Sequence, residues 1–354
     1  MTLHRELNRL KKTKFSWMYE VSKCAPQEAL RNLDAAFHHF FHRIKKGLRP
    51  GFPKFKSRKH GRGSFRLTGT IRVFHNAIQL PRLSRLRLKE HGYLPTESKH
   101  IHILSATVSE VADRWFVSLQ VQEEIPVVKP TGPMVGVDLG LHRLATVSDG
   151  TVVENPKVIR QFERKLRRTH RKLVRKQQGS RNRRKVIVQL QKLYVRITNI
   201  RQDAIHKTTT LLAKTKLVVV LEDLNVRGLL HNQKVARAVA DASFYEFRRQ
   251  LEYKMAWCGS RLLIAPRFYP SSKRCSQCGY VKVNLRLSTR VYRCDHCGFT
   301  VDRDLNASYN LVWVAASWAE TENACREAGG CRPCGSVPVG DAGTEHQPRS
   351  VLVG

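Results

Sequence analysis

The stretch "CSQCGYVKVNLRLSTRVYRCDHCGFTVDRDLNAS", residues 275–308, joins two Cys-x-x-Cys pairs to an acidic string that leads into an apolar helix. Cys275 and Cys278 form the first pair, and Cys294 and Cys297 form the second, with fifteen residues between the pairs. This spacing is typical of a zinc ribbon, in which four thiolates surround one tetrahedral ion. Because the protein supplies all four ligands, the zinc is expected to hold the fold together and to do no chemistry.

Other features of the cysteine pattern refine this prediction. Gly279 and Gly298 follow the two pairs, where the knuckle turn favours a positive φ. We place the ribbon at residues 271–300. Residues 320–354 are rich in Gly, Pro and small polar residues, so we predict a disordered tail. A second zinc site formed by cysteines of this tail is an alternative that the sequence leaves open; these cysteines are Cys325, Cys331 and Cys334.

Three carboxylates stand at the ends of predicted elements. Asp138 lies in the apolar strand "VGVDLG", Glu222 closes "LVVVLE", and Asp304 stands where a helix begins. A charge among apolar residues is costly unless it is paired, so a buried ion pair or a helix cap would explain each one singly. Together they could hold two Mg²⁺ ions about 3.5–4 Å apart, an arrangement that cleaves phosphodiesters.

The charge balance indicates a polyanionic partner. Lys and Arg number 64 against 28 Asp and Glu, a formal charge of +36 in 354 residues. Such an excess favours nucleic acid. A membrane partner would need an amphipathic anchor or a lipidation signal, and the sequence shows neither. Without a signal peptide or an apolar run of transmembrane length, we expect a cytoplasmic, nucleoid-associated protein.

The order of patterns along the chain predicts a mixed α/β protein with two domains. Residues 1–130 form a basic module of helices and strands, whose helix "QEALRNLDAAFHHFFHRIKKG" carries an apolar stripe that we interpret as core. Residues 131–319 form the second domain, with a basic helical segment at 155–214 and the ribbon. Within this segment, residues 157–201 carry 17 Lys and Arg against one acid, which favours a surface that follows phosphates.

These motifs resemble the TnpB (OrfB) proteins of insertion sequences, which are relatives of the type V CRISPR effector nucleases. The resemblance spans nearly the whole chain except the tail, and the ordered combination of motifs is specific. The motifs are "GVDLG" at 136–140, "RQDAIHK" at 201–207, "VVVLEDLNV" at 218–226, "SSKRCSQCG" at 271–279 and "YRCDHCGFTVDRDLNASYNL" at 292–311.

The resemblance implies an RNase H-like, RuvC-type nuclease domain with the zinc ribbon inserted before its last motif. It also implies that Asp138, Glu222 and Asp304 bind Mg²⁺ and cut DNA opened by a guide RNA from the element, whereas Asp223 and Asp302 are not ligands. The N-terminal module would hold RNA and DNA, and a separate partner transposase would move the element. Family members usually begin with a further strand and helix. This sequence lacks them, so the resemblance implies that its N-terminal module is shortened.

Two other functions remain open from the residues. Proteins of such elements are traditionally named transposases, and RNase H-like carboxylates can also support DNA joining, so the chain could act directly on element ends. A non-cleaving zinc-ribbon regulator that binds DNA or RNA would explain the cysteines and the charge. It would leave Asp138 and Glu222 without a role, and therefore we favour the Mg²⁺-dependent endonuclease.

Overall fold

The computed structural model has two compact units, and each contains both helices and strands. The first unit comprises residues 1–125 together with the C-terminal strand, and the second begins at residue 126. The division thus falls five residues before the predicted boundary at 130. The residues that the structure describes are 2–55, 63–90, 92, 101–124, 126–127, 129–286, 288–327 and 349–353.

The first unit combines helices with two antiparallel sheets. Its helices are α1 (Thr2–Thr13), a 3₁₀ turn (Ser16–Tyr19) and α2 (Cys24–Lys45). One sheet contains β1 (Ser64–Leu67), β5 (Ile101–Val111), β6 (Arg114–Glu123) and the final strand β14 (Arg349–Val353), in this order. The smaller sheet contains β2 (Arg72–Phe74), β3 (Ala77–Gln79) and β4 (Arg85–Arg87). Cys24 is buried in the core of this unit.

The apolar stripe of α2 is not part of a core, which corrects the interpretation from the sequence. Among the described residues of α2, only Cys24 is fully buried, whereas Leu33 is 44% and Phe41 is 54% exposed. The rings of Phe37 and Phe40 instead contact Phe52, with centroids 5.8 and 5.5 Å away. Helical periodicity identifies an apolar face, but it does not show whether another element covers that face.

The second unit is built on a five-stranded sheet. The strand order is β11-β10-β7-β8-β9, in which β7, β10 and β11 are parallel and β8 and β9 are antiparallel to their neighbours. The strands are β7 (Val135–Leu139), β8 (Arg143–Val147), β9 (Val152–Glu154), β10 (Val218–Glu222) and β11 (Arg261–Ala265). A small hairpin of β12 (Val291–Arg293) and β13 (Thr300–Asp302) follows.

Six helices accompany this sheet, and two of them form the basic hairpin. They are α3 (Val158–Val174), α4 (Arg181–Thr215), α5 (Val226–His231), α6 (Ala236–Ala242), α7 (Phe244–Trp257) and α8 (Arg303–Glu327). The helices α3 and α4 are joined at Gly179-Ser180, where Gly179 has a φ of +82° and Ser180 Oγ accepts the backbone N–H of Arg183. A strip of buried apolar residues holds the two helices together: Val158, Leu166, Leu193 and Ile197.

The two faces of the sheet pack against different helices. Val137, Val219 and Leu221 point to a core shared with α4, α6 and α7. Val220 points to the opposite face, where Leu311 and Ala315 of α8 cover it. Side chains alternate between the faces of a strand, so Gly136 also lies on the α8 face. A Cβ atom at Gly136 would stand 2.0 Å from the carbonyl oxygen of Ser308, and only glycine lets α8 lie this close to β7.

The structure differs from the predicted disordered tail at both ends. The helix α8 continues to Glu327, because "TENACRE" contains no Gly or Pro and the breakers begin at Gly329-Gly330. Residues 349–353, "RSVLV", form β14 because β-branched residues favour strands. Residues 328–348, with Cys331 and Cys334, lie outside the described part. None of the helices that can be described is apolar over enough length to cross a membrane.

Candidate metal centres

The four cysteines of the two pairs come together in one cluster. All four Sγ atoms lie within 4.8 Å of one another. Cys275 Sγ is 3.7 Å from Cys297 Sγ, and Cys278 Sγ is 3.6 Å from Cys294 Sγ. Zinc–sulfur bonds of about 2.3 Å in a tetrahedron separate the sulfurs by about 3.8 Å. The cluster therefore has the dimensions and the soft donor set of a four-thiolate zinc site.

Two equivalent turns bring the sulfurs to this cluster. The backbone N–H of Gly279 donates to Cys275 O, and that of Gly298 donates to Cys294 O. Gly279 and Gly298 have φ values of +76° and +73°, so the predicted positive φ after each pair is confirmed. Cys275 and Cys294 are buried, and the buried ring of Tyr292 packs between them. Cys278 and Cys297 are exposed, so the cluster lies at the surface of the ribbon, but four thiolates would fill a tetrahedral ion and leave no position for a substrate.

The carboxylates of Asp138 and Glu222 lie on the same face of the main sheet. In the parallel pair of β7 and β10, Val137 stands opposite Leu221. The residues that follow them, Asp138 and Glu222, are therefore neighbours on adjacent strands. Asp138 shares its face with Gly136, and Glu222 shares its face with Val220. Both carboxylates therefore point to the side of α8, and Asp304 stands in the first turn of that helix.

The charges of Glu222 and Asp304 both act on the pKa of Asp138. Burial raises the pKa of Asp138 well above its usual range, and the charges of Glu222 and Asp304 raise it further. Arg303 acts in the opposite direction on the pKa of Asp138. Burial also raises the pKa of Glu222, against the effect of a hydrogen bond from Ser271 Oγ. Three carboxylates with Arg303 as the opposing charge favour a bound cation.

The carboxylate cluster is wider than the cysteine cluster. Among the described residues, the four cysteines are the only group of three or more His, Cys, Asp and Glu whose ligand atoms all lie within 4.8 Å. At least one pair of the three carboxylates is therefore further apart than this. Their oxygen donors suit hard cations such as Mg²⁺ rather than zinc.

Two acidic neighbours of this cluster have structural partners. Asp302 Oδ1 accepts the backbone N–H groups of Asp304 and Leu305 at 2.9 and 3.2 Å, and Arg143 donates to Asp302 Oδ2 at 3.0 Å. Asp302 thus caps α8 at the turn that carries Asp304. Asp223 accepts from Arg248 at 3.1 Å and from Arg267 at 2.6 Å.

Sequence reasoning missed three polar residues beside these centres. Ser271 contacts Glu222, while Asn306 and Asn310 of α8 bind the backbone that leads into Cys275. Both asparagines are 0% exposed. Two asparagines four residues apart in an apolar stretch of a helix were the signal in the sequence. They indicate a polar partner for that face of the helix, since a buried amide needs a hydrogen bond. The second zinc site of the tail, an alternative that the sequence left open, would need Cys331 and Cys334, which lie outside the residues described, so this alternative stays untested.

Comparison with known proteins supports this picture of a metal-binding, nucleic-acid-associated α/β protein. Residues 116–233 match the OrfB_IS605 family, described as "Probable transposase", and residues 244–311 match the "Cas12f1-like, TNB domain". A "Putative RNA-guided DNA endonuclease" of Streptomyces pristinaespiralis is 37% identical over 98% of this chain and 84% of its own length. The InsQ protein of Escherichia coli K12, with the same description, is 33% identical over 85% of this chain and 76% of its own.

A solved structure of Cas12f1 with sgRNA and target DNA aligns with 76% of this chain and 67% of that chain, at 16% identity and a TM-score of 0.48. The sequence matches define the class: an insertion-sequence protein with a region similar to the Cas12f1-like TNB domain. The chain belongs to the OrfB (TnpB) family, and the resemblance seen in its motifs is confirmed.

Proposed function

We propose that this protein is an RNA-guided DNA endonuclease of an insertion sequence, in which Asp138, Glu222 and Asp304 hold two Mg²⁺ ions. The observation that carries the proposal is the convergence of these carboxylates on one face of the sheet, with a strongly raised pKa at Asp138. The names of the relatives from Streptomyces and Escherichia coli support the same activity. The mixed sheet with α8 on the carboxylate face supports an RNase H-like, RuvC-type domain.

The elements that carry the carboxylates suit this task. Asp138 and Glu222 stand on adjacent strands of the core, and Asp304 stands on a helix that packs directly on β7, so all three are held rigidly. The chemistry supplied by bound Mg²⁺ is activation of a water and stabilisation of charge on the phosphodiester oxygens. Asp138 retains a proton to a higher pH than an ordinary aspartate, and it must lose this proton before it can act as a ligand.

The basic hairpin provides a surface for the nucleic acid. Arg164, Arg168 and Arg171 repeat along one exposed face of α3 at helical spacing. Guanidinium groups in such a row can follow consecutive phosphates without reading bases. In the proposed protein, base pairing with a guide RNA would supply the sequence specificity, as in other RNA-guided nucleases.

The four cysteines would hold zinc as a structural ion. Their sulfur–sulfur distances of 3.6 and 3.7 Å and the presence of four thiol ligands support this assignment. Zinc there would fix the ribbon, residues 271–300, against α8 and the end of β11.

The proposal is tested by expressing the chain with the flanking DNA of its element and identifying the RNA that copurifies. The complex is then given DNA that matches this RNA, with Mg²⁺. We expect cleavage by the wild type and none by Asp138→Ala. Asp223→Ala is the matched control, because Asp223 directly follows β10 but is held by two arginines. Absence of bound RNA, or equal cleavage by Asp138→Ala, would contradict the proposal, and joined DNA ends would instead identify a direct transposase.

A further inference from the structure

We infer that Ser271 positions Glu222, and that the zinc ribbon holds Ser271 in place, so that the cysteine centre controls the carboxylate centre. The inference rests on the proposed function, because it takes Glu222 as a metal ligand. Ser271 Oγ donates a hydrogen bond to Glu222 Oε1. Ser271 is only 5% exposed, so bulk water does not compete for this contact.

Ser271 belongs to the turn that leads directly into the first cysteine pair. The backbone N–H groups of Lys273 and Arg274 both donate to Pro270 O, at 3.0 and 2.9 Å, which closes the turn around Ser271. Cys275 follows immediately. The hydroxyl of Tyr292 donates to Lys273 O at 3.2 Å, and its ring packs in the buried cluster of the cysteines. The turn is thus fixed to the interior of the ribbon.

The same turn is attached to the helix that carries Asp304. Asn310 Nδ2 donates to Ser271 O at 2.7 Å and to Arg274 O at 2.6 Å. Asn306 Nδ2 donates to Arg274 O at 2.7 Å, while Asn306 Oδ1 accepts the backbone N–H of Ser276 at 3.1 Å. The segment from Ser271 to Ser276 therefore has one contact with the Glu222 side chain and four hydrogen bonds with α8, which places two of the three carboxylates relative to each other.

The contact suits a positioning role rather than a catalytic one. The hydroxyl of Ser271 binds one oxygen of Glu222, which limits rotation of the carboxylate and leaves the other oxygen free for a cation. Hydrogen bonds that orient a ligand in this way typically change metal affinity by about 10–100-fold. Loss of zinc would release Cys275, which directly follows the turn, from its bond to the metal.

The test measures binding of Mn²⁺, a spectroscopic substitute for Mg²⁺, to the full chain with its RNA, by electron paramagnetic resonance of the free ion. We expect Ser271→Ala to weaken Mn²⁺ binding about tenfold or more. Ser271→Thr keeps the hydroxyl and should restore binding. Ser308→Ala is the matched control, because this buried serine donates to Leu305 O within its own helix. Zinc content and Tm are measured for every variant.

A second arm tests the contribution of the ribbon. Cys278→Ser should lower zinc content and also weaken Mn²⁺ binding. In that background, Ser271→Ala should add little, because both changes remove the same support and coupled effects do not add. Fully additive losses would show that the ribbon does not act through Ser271.

The outcomes separate the inference from the function on which it rests. If Asp138→Ala loses Mn²⁺ but Ser271→Ala binds as the wild type does, the inference is overturned and the function stands. Ser271→Thr with the wild-type Tm and the weak binding of Ser271→Ala would also overturn it. If Ser271→Thr has a lower Tm than the wild type, the Mn²⁺ binding of Ser271→Ala is compared with that of Ser308→Ala instead. Equal binding by these two variants would overturn the inference. If the wild type binds no Mn²⁺, or Asp138→Ala binds it equally, the proposed function fails and the inference fails with it.

Discussion

Asp138 illustrates how far single residues could be interpreted from the sequence. A carboxylate among Val, Gly and Leu in a strand is costly, so its presence indicated either an ion pair or a metal site. The structure places Asp138 beside two further carboxylates, with Arg303 as an opposing charge. Ser271 could not be found in the same way, because a serine in a turn before a cysteine pair is unremarkable in composition. Its role depends on a partner 49 residues away.

The raised pKa of Asp138 predicts that this residue lowers the stability of the metal-free protein. Because its pKa is higher in the folded than in the unfolded chain, folding becomes less favourable as pH rises from the unfolded pKa to the folded one. Asp138→Asn should therefore raise the Tm in magnesium-free buffer with zinc retained, by about 2–4 °C for each kcal/mol of repulsion removed.

The pH dependence supplies the control for Asp138→Asn. The gain in Tm should be larger at pH 8 than at pH 5. As pH falls below the folded pKa of Asp138, its carboxyl group takes up a proton and destabilises the folded protein less. Asp223→Asn, which removes a carboxylate already paired with Arg248 and Arg267, should show no such gain. A Tm for Asp138→Asn at or below that of the wild type at pH 8 would refute the electrostatic explanation.

At the scale of elements, α8 connects the two candidate centres. Its first turn carries Asp304 and its buried asparagines hold the turn before Cys275, while its apolar residues cover Val220. The sequence predicted this helix from its apolar run. The close packing on β7 could not be predicted, because it depends on Gly136 and Ser308, which are 172 residues apart in the chain.

Gly136→Ala should displace α8 from β7. The added Cβ would lie 2.0 Å from Ser308 O, which is backbone and cannot rotate away. We expect a loss of stability of about 1–3 kcal/mol, as for other overpacked sites, together with a large loss of Mn²⁺ binding as Asp304 moves. Denaturant unfolding and Mn²⁺ titration measure the two effects. Gly51→Ala, where a Cβ meets nothing within 4 Å, should change neither, and a Gly136→Ala variant that behaves like it would contradict this packing.

A buried lysine joins the basic hairpin to the core. Lys254 of α7 is 9% exposed, and its Nζ donates to Thr209 Oγ1, Thr210 Oγ1 and His206 O of α4 at 2.7, 2.8 and 3.0 Å. Lys254→Met keeps the shape but leaves these acceptors without their donor. We expect a loss of about 1–3 kcal/mol in the free energy of unfolding, measured with urea.

Lys207→Met is the control for the contacts that Lys254 makes with α4. Lys207 also stands on α4, but its side chain is 76% exposed and it pairs only with Asp203. Its removal should change the free energy of unfolding by less than about 1 kcal/mol. Equal effects of the two substitutions would show that Lys254 does not hold α4 against α7.

For the whole molecule, the formal charge of +36 was the clearest prediction from composition, yet composition does not show where the charge acts. The fold gathers a dense part of it on the hairpin of α3 and α4, where three exposed arginines form a row along α3. Replacement of Arg164, Arg168 and Arg171 by Gln should weaken nucleic-acid binding and make the slope of log K against log salt less negative by about 2–3, because each phosphate contact with duplex DNA contributes about 0.9. The measurement is binding of labelled duplex DNA over a range of salt concentrations, with the Tm recorded for each protein.

Replacement of Lys207, Lys214 and Lys234 by Gln removes the same charge elsewhere in this unit and serves as the control. If both triple variants reduce the slope equally, net charge alone explains the binding and the row on α3 has no particular role. A reduction confined to the α3 variant would assign the phosphate contacts to the row on α3.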